Sequence, residues 1–362
     1  MKKNRNSTID LLRVISMLMI IVLHEINKGI QPNALDNVYD YINTYILALV
    51  FCSVNLFVLI SANFLCDNNQ IKLKTVGKLL VENWVINFLV VVIIGLINGN
   101  YLSKIDIVYV LFPFFTRRNW FVCVYLILYL VHPFLNIIIS RLDKTNFNIL
   151  ILLCFGIFSV LPSIMPNRNW TFDTMYGYSI IWFIVLYFSA AYIRKFGSTN
   201  AKERKLTMSI AYLGLGALMV AVKKTVILTS SSLGIEAIYR YRNIWFAYDS
   251  VPVYLMSVII YKSFYQKKLI KHESRVSSII SGLGASTLGV YLIHDNYKIR
   301  DILWTDLIRI KSISESPGAI FFYLLIALLV FILCSAIYIL LDRIVDSLLN
   351  HFKVFDKTYV IE

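Results

Sequence analysis

Arg13 and His24 are the residues of this chain whose types and spacing most clearly fit chemistry. Both stand within one long apolar stretch near the start of the sequence. At about 100° per residue, the eleven steps between them return to within about 20° of the same direction, so both side chains lie on one helix face. A rise of about 1.5 Å per residue separates them by about 16 Å along the axis. The pair therefore predicts a polar path with groups at two depths.

The two side chains suit different steps of a group transfer. A guanidinium is permanently cationic and offers a fork of donors for phosphate or carbonyl oxygens. A desolvated imidazole is biased toward its neutral form, which accepts a proton from a hydroxyl at physiological pH. We therefore expect an anionic donor to bind at Arg13 and an acceptor to be activated at His24.

The composition indicates an integral membrane protein. Of 362 residues, 58% are hydrophobic and 15% charged, with a mean hydropathy of +0.70, whereas soluble domains are about 45 to 50% apolar. The net charge of +14 comes from basic residues dispersed among short loops, which favours membrane lipids as surroundings and not nucleic acid as a partner. The five cysteines stand singly in apolar segments, so we expect no metal site.

Ten apolar stretches are long enough to span a membrane, and we expect an all-α polytopic bundle. The predicted spans are 9–27, 44–65, 79–98, 120–139, 149–165, 176–193, 207–228, 244–261, 278–296 and 318–341. The segment 104–116 is too short to cross and is predicted to lie at the interface or to re-enter.

The distribution of Lys and Arg predicts that both termini are cytoplasmic. With the amino terminus inside, the cytoplasmic loops are the richer in positive charge, and counting 104–116 as a crossing would reverse this. We expect a transmembrane domain over 1–345 and a short cytoplasmic tail over 346–362. The segment 297–316 has apolar residues at helical spacing, which predicts an amphipathic helix on the outer surface.

This topology predicts two layers of polar groups. His294, Asp249 and Lys223 come from three different spans and lie in the outer layer with His24. Ser61 and Asn63 lie in the inner layer with Arg13. Trp120 falls near an outer boundary, as interfacial aromatic belts require, and a tryptophan there also suits stacking on a sugar.

Four segments together resemble the acyltransferase-3 family of bacterial membrane O-acyltransferases. They are the Arg-x10-His pair, NLFVLISANFL at the end of the second span, NWFVCVYLILYLVHPFLN at the fourth and GVYLIHDN in the ninth. The resemblance covers nearly the whole chain. It implies that Arg13 and His24 are the functional pair, that the donor is cytoplasmic acetyl-CoA, and that the acceptor is a hydroxyl of a surface glycan or its lipid-linked precursor. It also implies a multi-pass protein of the bacterial plasma membrane.

The chain departs from the family pattern after the second span. Ser61-Ala62-Asn63 stands where Ser-Gly and an aromatic are common, and the usual Arg-x-x-Arg pattern is absent. We expect the donor to be bound by Arg13 with help from the residues of this region, which are Ser61, Asn63, Lys72, Lys74 and Lys78. Lysines attract phosphates as point charges rather than as forks.

His24 is predicted to act as general base or to carry the acyl group itself. Because Arg13 lies too far away to stabilise the oxyanion, that role needs Asn296, Tyr291 or Lys223. The acceptor or supporting set is completed by His294, Asp249 and Trp120. The competing hypothesis is a transporter or flippase for a glycan or lipid-linked sugar, since intramembrane charges also mark substrate pathways. A membrane sensor with vestigial Arg13 and His24 is a third.

Overall fold

A computed structural model describes residues 7–32, 34–97, 103–116, 118–165, 174–197, 205–265, 270 and 274–361. These residues form an all-α bundle. Its helices are α1 (Ser7–His24), α2 (Val38–Val50), α3 (Ser53–Leu65), α4 (Leu73–Ile97), α5 (Lys104–Leu111), α6 (Trp120–Arg141), α7 (Lys144–Phe155), α8 (Leu161–Ile164), α9 (Ile180–Phe196), α10 (Lys205–Leu233), α11 (Glu236–Tyr239), α12 (Val251–Tyr265), α13 (Arg275–His294), α14 (Ile310–Ile313) and α15 (Ala319–Asn350). The strands of the described residues are β1 (Gln70–Lys72) and β2 (Thr358–Val360).

The predicted all-α polytopic bundle is confirmed, and each predicted span contains a helix. Within the described ranges, seven helical segments are long and apolar enough to cross a membrane. They are Val38–Leu65, Leu73–Ile97, Trp120–Arg141, Lys144–Ile164, Leu206–Leu233, Arg275–His294 and Ala319–Asn350. The helices at the other three predicted spans, α1, α9 and α12, have 18, 17 and 15 residues. The total of ten crossings and the cytoplasmic location of both termini stay predictions.

α1 is the centre of the bundle. It packs along α13 and α3 and also contacts α15, α12 and α2. Ile9, Leu12 and Ile21 are fully buried in these contacts. After His24 the helix continues as a π-helical turn, Glu25–Ile30. This turn ends at Gln31, whose backbone conformation is left-handed. This central helix therefore carries both Arg13 and His24 into the interior of the bundle.

α1 and α13 run parallel, because His24 and His294 end their helices and contact each other. α5 has 8 residues, which is about 12 Å of helix against a bilayer core of about 30 Å. A helix of that length cannot cross, as the sequence predicts. When α5 is not counted as a span, α1 lies in the first predicted span and α13 in the ninth. Two odd-numbered spans cross the membrane in the same direction.

The segment 297–316 is not one amphipathic helix, and that expectation was wrong. It is divided into a π-helical turn, Ile302–Leu307, and the short α14, with Arg309 between them at φ 53°. Trp304 and Ile310 are fully buried. A Cβ at Gly29 would approach Ile310 Cγ2 to 2.0 Å, so glycine permits the close packing that turns this segment inward.

The end of the chain folds back on the start of α4. β2 pairs antiparallel with β1, and Phe355 packs so closely on Gly77 that a Cβ there would meet its ring at 2.5 Å. α15 continues to Asn350, so the first residues of the predicted tail are helical. The remaining tail thus lies beside the residues that precede and begin α4.

Candidate functional site

A cavity of about 240 Å³ lies along one face of α1. Arg13 lines one end and His24 the other, with Met17 and Ile20 between them on the same face. The rest of the lining of this central cavity comes from Val54, Phe57, Ser61, Thr75, Leu79, Trp120, Phe121, Tyr125, Tyr248, Gly284, Ala285, Thr287, Leu288, Tyr291 and Asp295. The structure therefore brings the guanidinium and the imidazole to one cavity, on the same face of α1 as their helical spacing predicts.

The imidazole of His24 is hydrogen-bonded to a second imidazole. Its Nδ1 lies 3.0 Å from Nε2 of His294, whose own Nδ1 lies 2.6 Å from the carbonyl oxygen of Val290. A carbonyl oxygen only accepts, so Nδ1 of His294 carries a proton and donates it. In the neutral ring Nε2 of His294 is then the acceptor, and Nδ1 of His24 donates to it. This leaves Nε2 of His24 as an unprotonated nitrogen on a ring that lines the cavity.

Asp295 is a third member of this cluster, and sequence reasoning missed it. Its Oδ1 lies 3.7 Å from His24 Nδ1 and 3.9 Å from Arg300 Nη1. This oxygen is buried and makes no hydrogen bond with the described residues. A carboxylate in this position stabilises positive charge on His24. The available signal was its place directly after His294 in the GVYLIHDN segment.

Tyr291 is one of the residues that line the central cavity. The side chain is buried, and its oxygen has no hydrogen-bond partner among the residues that the structure describes. Its ring contacts that of Phe121 edge-on, with centroids 5.9 Å apart. A tyrosine O–H group can donate a hydrogen bond to an oxygen atom of a substrate that reaches it.

Asn296 points away from the central cavity into a chain of buried amides. Its Nδ2 donates to Asn87 Oδ1 at 2.9 Å, and Asn87 donates to Asn83 Oδ1 at 3.0 Å. Asn119, just before α6, donates to that same oxygen of Asn83 at 2.5 Å. The amide chain ties the corner after α13 to α4 and to the start of α6, so Asn296 positions the His294–Asp295 corner.

Aromatic rings form one wall of the cavity near His24. Trp120 stacks on Tyr248 with centroids 6.0 Å apart, and it contacts Tyr178 at 4.3 Å. Tyr125 lines the wall closer to Arg13. Tyr125 and Tyr248 were not singled out from the sequence, because aromatic residues in spans are common and their direction depends on packing.

The Arg13 end of the cavity is built by α1, α3 and α4. Nη1 of Arg13 lies 3.6 Å from Asp10 Oδ1, and its guanidinium carbon lies 5.4 Å from the centroid of Phe64. Ser61 and Thr75 line the cavity here. Asn63, predicted to join them, instead accepts hydrogen bonds from Arg194 and Tyr261 on another side of α3.

The three predicted donor-binding lysines do not line the central cavity. Lys78 Nζ lies 2.5 Å from Asp342, 3.1 Å from Asp346 and 3.8 Å from Glu82. Lys74 Nζ donates to Asn350 Oδ1 at 2.8 Å. These contacts join α4 to α15, which explains both side chains as structural ties. Lys72 belongs to β1, three residues before the cavity-lining Thr75.

Two residues of the predicted outer layer also lie outside the cavity lining. Asp249 accepts a hydrogen bond from Thr174. Lys223 donates to the carbonyl oxygen of Pro32 at 2.5 Å, and its neighbour Lys224 donates to that of Leu35 at 2.9 Å. Both lysines therefore hold the loop between Gln31 and α2. Lys223 in addition lines a second cavity.

The corner near α5 carries a strongly stabilised carboxylate outside the spans. Burial raises the pKa of Asp106, but hydrogen bonds from Lys298, Ser103 and Tyr297 outweigh it and lower the pKa to about 2. Lys298 follows Asn296 closely and its backbone N–H donates to Asn296 Oδ1 at 3.1 Å. The ion pair and the amide chain thus fix the same corner after α13.

Comparison with known proteins decides the class of this site. The model of the acyltransferase-3 family, described as an acyltransferase domain, matches residues 6–339. The chain belongs to the acyltransferase-3 family. The matched range includes both histidines, Arg13 and the whole lining of the central cavity. No curated protein and no solved structure matches the chain.

As a member of the acyltransferase-3 family, the protein is a multi-pass membrane acyltransferase. Chemistry on a substrate is the family's activity, and the cavity that spans from Arg13 to His24 is the candidate place for it. The described residues contain no group of three or more His, Cys, Asp or Glu side chains that could hold a metal ion.

Proposed function

We propose that the protein transfers an acetyl group, or another short acyl group, from cytoplasmic acyl-CoA to a hydroxyl of a cell-surface glycan or its lipid-linked precursor. The cell envelope of a bacterium, with the protein in the plasma membrane, is the proposed setting. The observation that carries the proposal is the central cavity itself, which joins a guanidinium to an imidazole whose Nε2 is free to accept a proton.

The size of the cavity limits which part of the donor enters it. Ligand pockets for drug-sized molecules measure about 300 to 1,000 Å³, whereas the central cavity measures about 240 Å³. It therefore suits the acyl group and a narrow arm, and the nucleotide stays at the Arg13 end. Arg13 lines this end, and Lys72 lies three residues before the lining Thr75, so we assign the donor phosphates to these two cations.

The reaction balances with the groups present. As the acceptor oxygen attacks the thioester carbon, His24 Nε2 takes the hydroxyl proton and the new C–O bond forms. The C–S bond then breaks and the thiolate receives the proton, so that acyl ester and CoA thiol are the products. Asp295 and His294 stabilise the transient imidazolium, since both face His24 Nδ1.

The oxyanion of the tetrahedral intermediate needs a donor near the reacting carbon. Of the three residues considered from the sequence, Asn296 and Lys223 are engaged elsewhere. Tyr291 lines the cavity and its hydroxyl has no partner among the described residues. We therefore assign Tyr291 to this role.

Mass analysis of the host's surface glycan tests the proposal. A strain lacking the protein should lose one class of acyl ester, and the intact protein should restore it. His24→Ala should be present in the membrane at the same level without restoring the ester. An unchanged acyl content in the strain lacking the protein would remove this function.

In a two-step transfer the same Nε2 would carry the acyl group. A burst of CoA release without acceptor separates that route from direct transfer.

A further inference from the structure

A second cavity of about 310 Å³ adjoins the central one on the His24 side. Tyr248 lines both cavities. The ring of Tyr178 in the second cavity contacts the ring of Trp120 in the first at 4.3 Å. Asn27 and Gln31, which also line it, belong to the continuation of α1 past His24. One aromatic layer thus separates this second cavity, here named the vestibule, from the reacting groups.

The vestibule combines ring faces with amide groups. Tyr176 and Tyr178 line the vestibule and are 53% and 41% exposed. Asn27 and Asn243 line the vestibule, and no hydrogen bond to a described residue occupies their side chains. Amides offer both donors and acceptors, and aromatic faces cover the apolar side of a ring. This combination suits the alternating hydroxyls and C–H faces of a sugar.

The backbone of the turn that carries Tyr176 has an uncommon conformation. Met175 and Tyr176 have φ of 54° and 59°, and Gly177 follows at 87°. A bulky residue with positive φ is a rare conformation that clusters at ligand-binding sites. The N–H of Tyr248 donates to the Tyr176 carbonyl at 3.1 Å, and a Cβ at Gly177 would meet Tyr248 at 2.6 Å. Close packing on Tyr248 therefore fixes this turn at the vestibule.

The charge in the vestibule is positive. Lys223 is 2% exposed, and its ammonium donates to a neutral carbonyl, that of Pro32, and lies 5.5 Å from the Phe246 centroid. None of the residues lining the vestibule is an aspartate or glutamate. An ammonium carries three donors, and a buried cation is stabilised by an anion of the ligand.

We infer that the vestibule is the acceptor subsite, and that it binds a sugar unit bearing an anionic group that pairs with Lys223. This inference rests on the proposed function, because it supplies the acceptor whose hydroxyl reaches His24. The anion is a sugar carboxylate or a phosphodiester. Both present oxygens that accept from an ammonium.

The chain offers a matched pair of variants for the test. Lys223 and Lys224 are neighbours on α10, and each donates to a carbonyl of the loop before α2. The lining of the vestibule includes Lys223 and not Lys224. If Lys223 serves only to hold the loop, K223M and K224M should behave alike. If it binds the acceptor, only K223M should change acceptor recognition.

The acceptor probe is the host's surface polysaccharide, cleaved to short oligosaccharides and stripped of acyl groups by mild base. We expect K223M to raise the acceptor KM about tenfold or more, the usual effect of losing a charged hydrogen bond. The KM for acetyl-CoA should not change, and N243A should act in the same direction. K224M should match the intact protein in both constants. Equal acceptor KM for K223M and K224M would overturn the inference.

Two modified probes identify the anion. One carries its carboxyl groups reduced to alcohols, and the other has its phosphodiesters removed. With one of these probes the intact protein should show a higher acceptor KM than with the unmodified oligosaccharide. With that same probe K223M should not raise the acceptor KM further. An intact protein that handles all three probes equally would contradict an anionic acceptor.

Binding without transfer keeps the two proposals separate. Quenching of tryptophan fluorescence by the same oligosaccharide, measured without acetyl-CoA, reports on the vestibule through Trp120. If K223M binds the oligosaccharide more weakly and K224M does not, the subsite is supported even when no acyl transfer is found. The absence of acyl transfer would by itself reject the proposed function. Transfer that depends on His24 but not on Lys223 would reject the subsite and leave the proposed function standing.

Discussion

Nδ1 of His24 donates a hydrogen bond to Nε2 of His294, 3.0 Å away, across the parallel pair α1 and α13. The direction of this bond is set by the carbonyl oxygen of Val290, which accepts a hydrogen bond from Nδ1 of His294 and so leaves its Nε2 as an acceptor. The arrangement selects the tautomer in which His24 presents a basic Nε2, and it joins two residues that are far apart in the sequence.

His294→Ala should lower kcat by about a hundredfold, because the His24 tautomer is no longer selected and general-base catalysis is worth about 10² to 10⁴. His294→Gln should recover part of the loss, since the amide oxygen of glutamine can still accept from His24 Nδ1. Steady-state kinetics in detergent measures both. Equal activity of the Ala and Gln variants would show that a hydrogen-bond acceptor for His24 Nδ1 at this position does not contribute to catalysis.

Tyr291→Phe should separate activity from stability. The tyrosine hydroxyl has no partner among the described residues, so its removal should leave the melting temperature unchanged. Loss of an oxyanion donor should lower kcat about 10²- to 10³-fold. Tyr338→Phe is the matched control, because its hydroxyl donates to Glu82 at 2.8 Å. That variant should be less stable with kcat retained, and the reverse pattern would contradict the assignment of Tyr291.

Arg13→Ala should raise the KM for acetyl-CoA, and Arg13→Lys should be intermediate because it keeps the charge and loses the fork. Lys78→Met should instead lower the melting temperature, since it leaves Asp342 and Asp346 without their cation. Its KM for acetyl-CoA should equal that of the intact protein. Donor titrations of the purified variants distinguish the two, and a KM raised by Lys78→Met as much as by Arg13→Ala would return Lys78 to the donor site.

Asn87→Ala should destabilise the corner after α13. It leaves the Nδ2 of Asn296 buried without its acceptor, which costs about 1 to 3 kcal/mol. Thermal unfolding in detergent should show a lower melting temperature. Asn146→Ala, at an exposed position of α7, should leave the melting temperature unchanged. An unchanged melting temperature for Asn87→Ala would mean that the amide chain does not hold this corner.

The ion pair at Asp106 makes stability depend on pH in the acid range. Its pKa is about 2 in the folded protein, against 3.8 for an ordinary aspartate. The carboxylate therefore stabilises the fold above about pH 4, and this contribution is lost as the pH falls toward 2. Asp106→Asn should be less stable at neutral pH, with the difference shrinking below pH 4. A difference that stays constant down to pH 2, as expected for lost packing alone, would contradict the ion-pair account; exposed Glu236→Gln is the control.

The sequence was sufficient where helical period and span length decide the structure. The spacing of Arg13 and His24 placed them on one face, and the length of 104–116 excluded a crossing. The direction of each predicted span put His294 at the level of His24. These features depend on local geometry, which sequence pattern reports directly.

Contacts between residues that are distant in the sequence could not be predicted from it. Lys78 is paired with acids on α15 that lie more than 260 positions away, and nothing near Lys78 marks them. Asn296 was a plausible oxyanion donor until its amide was found on Asn87. Asp295 was overlooked because its proximity to His24 depends on the turn that ends α13. In each case the direction of a side chain was decided by packing between distant helices.

Transfer across a sealed membrane tests the central claim most directly. Inverted vesicles from the host present the cytoplasmic face outward, so labelled acetyl-CoA can be supplied at that face while the glycan acceptor is enclosed. If the acyl group passes through the central cavity, labelled acetyl ester should form on the enclosed glycan with the intact protein and not with His24→Ala. Equal labelling with His24→Ala, or a glycan that crosses the membrane chemically unchanged, would contradict it.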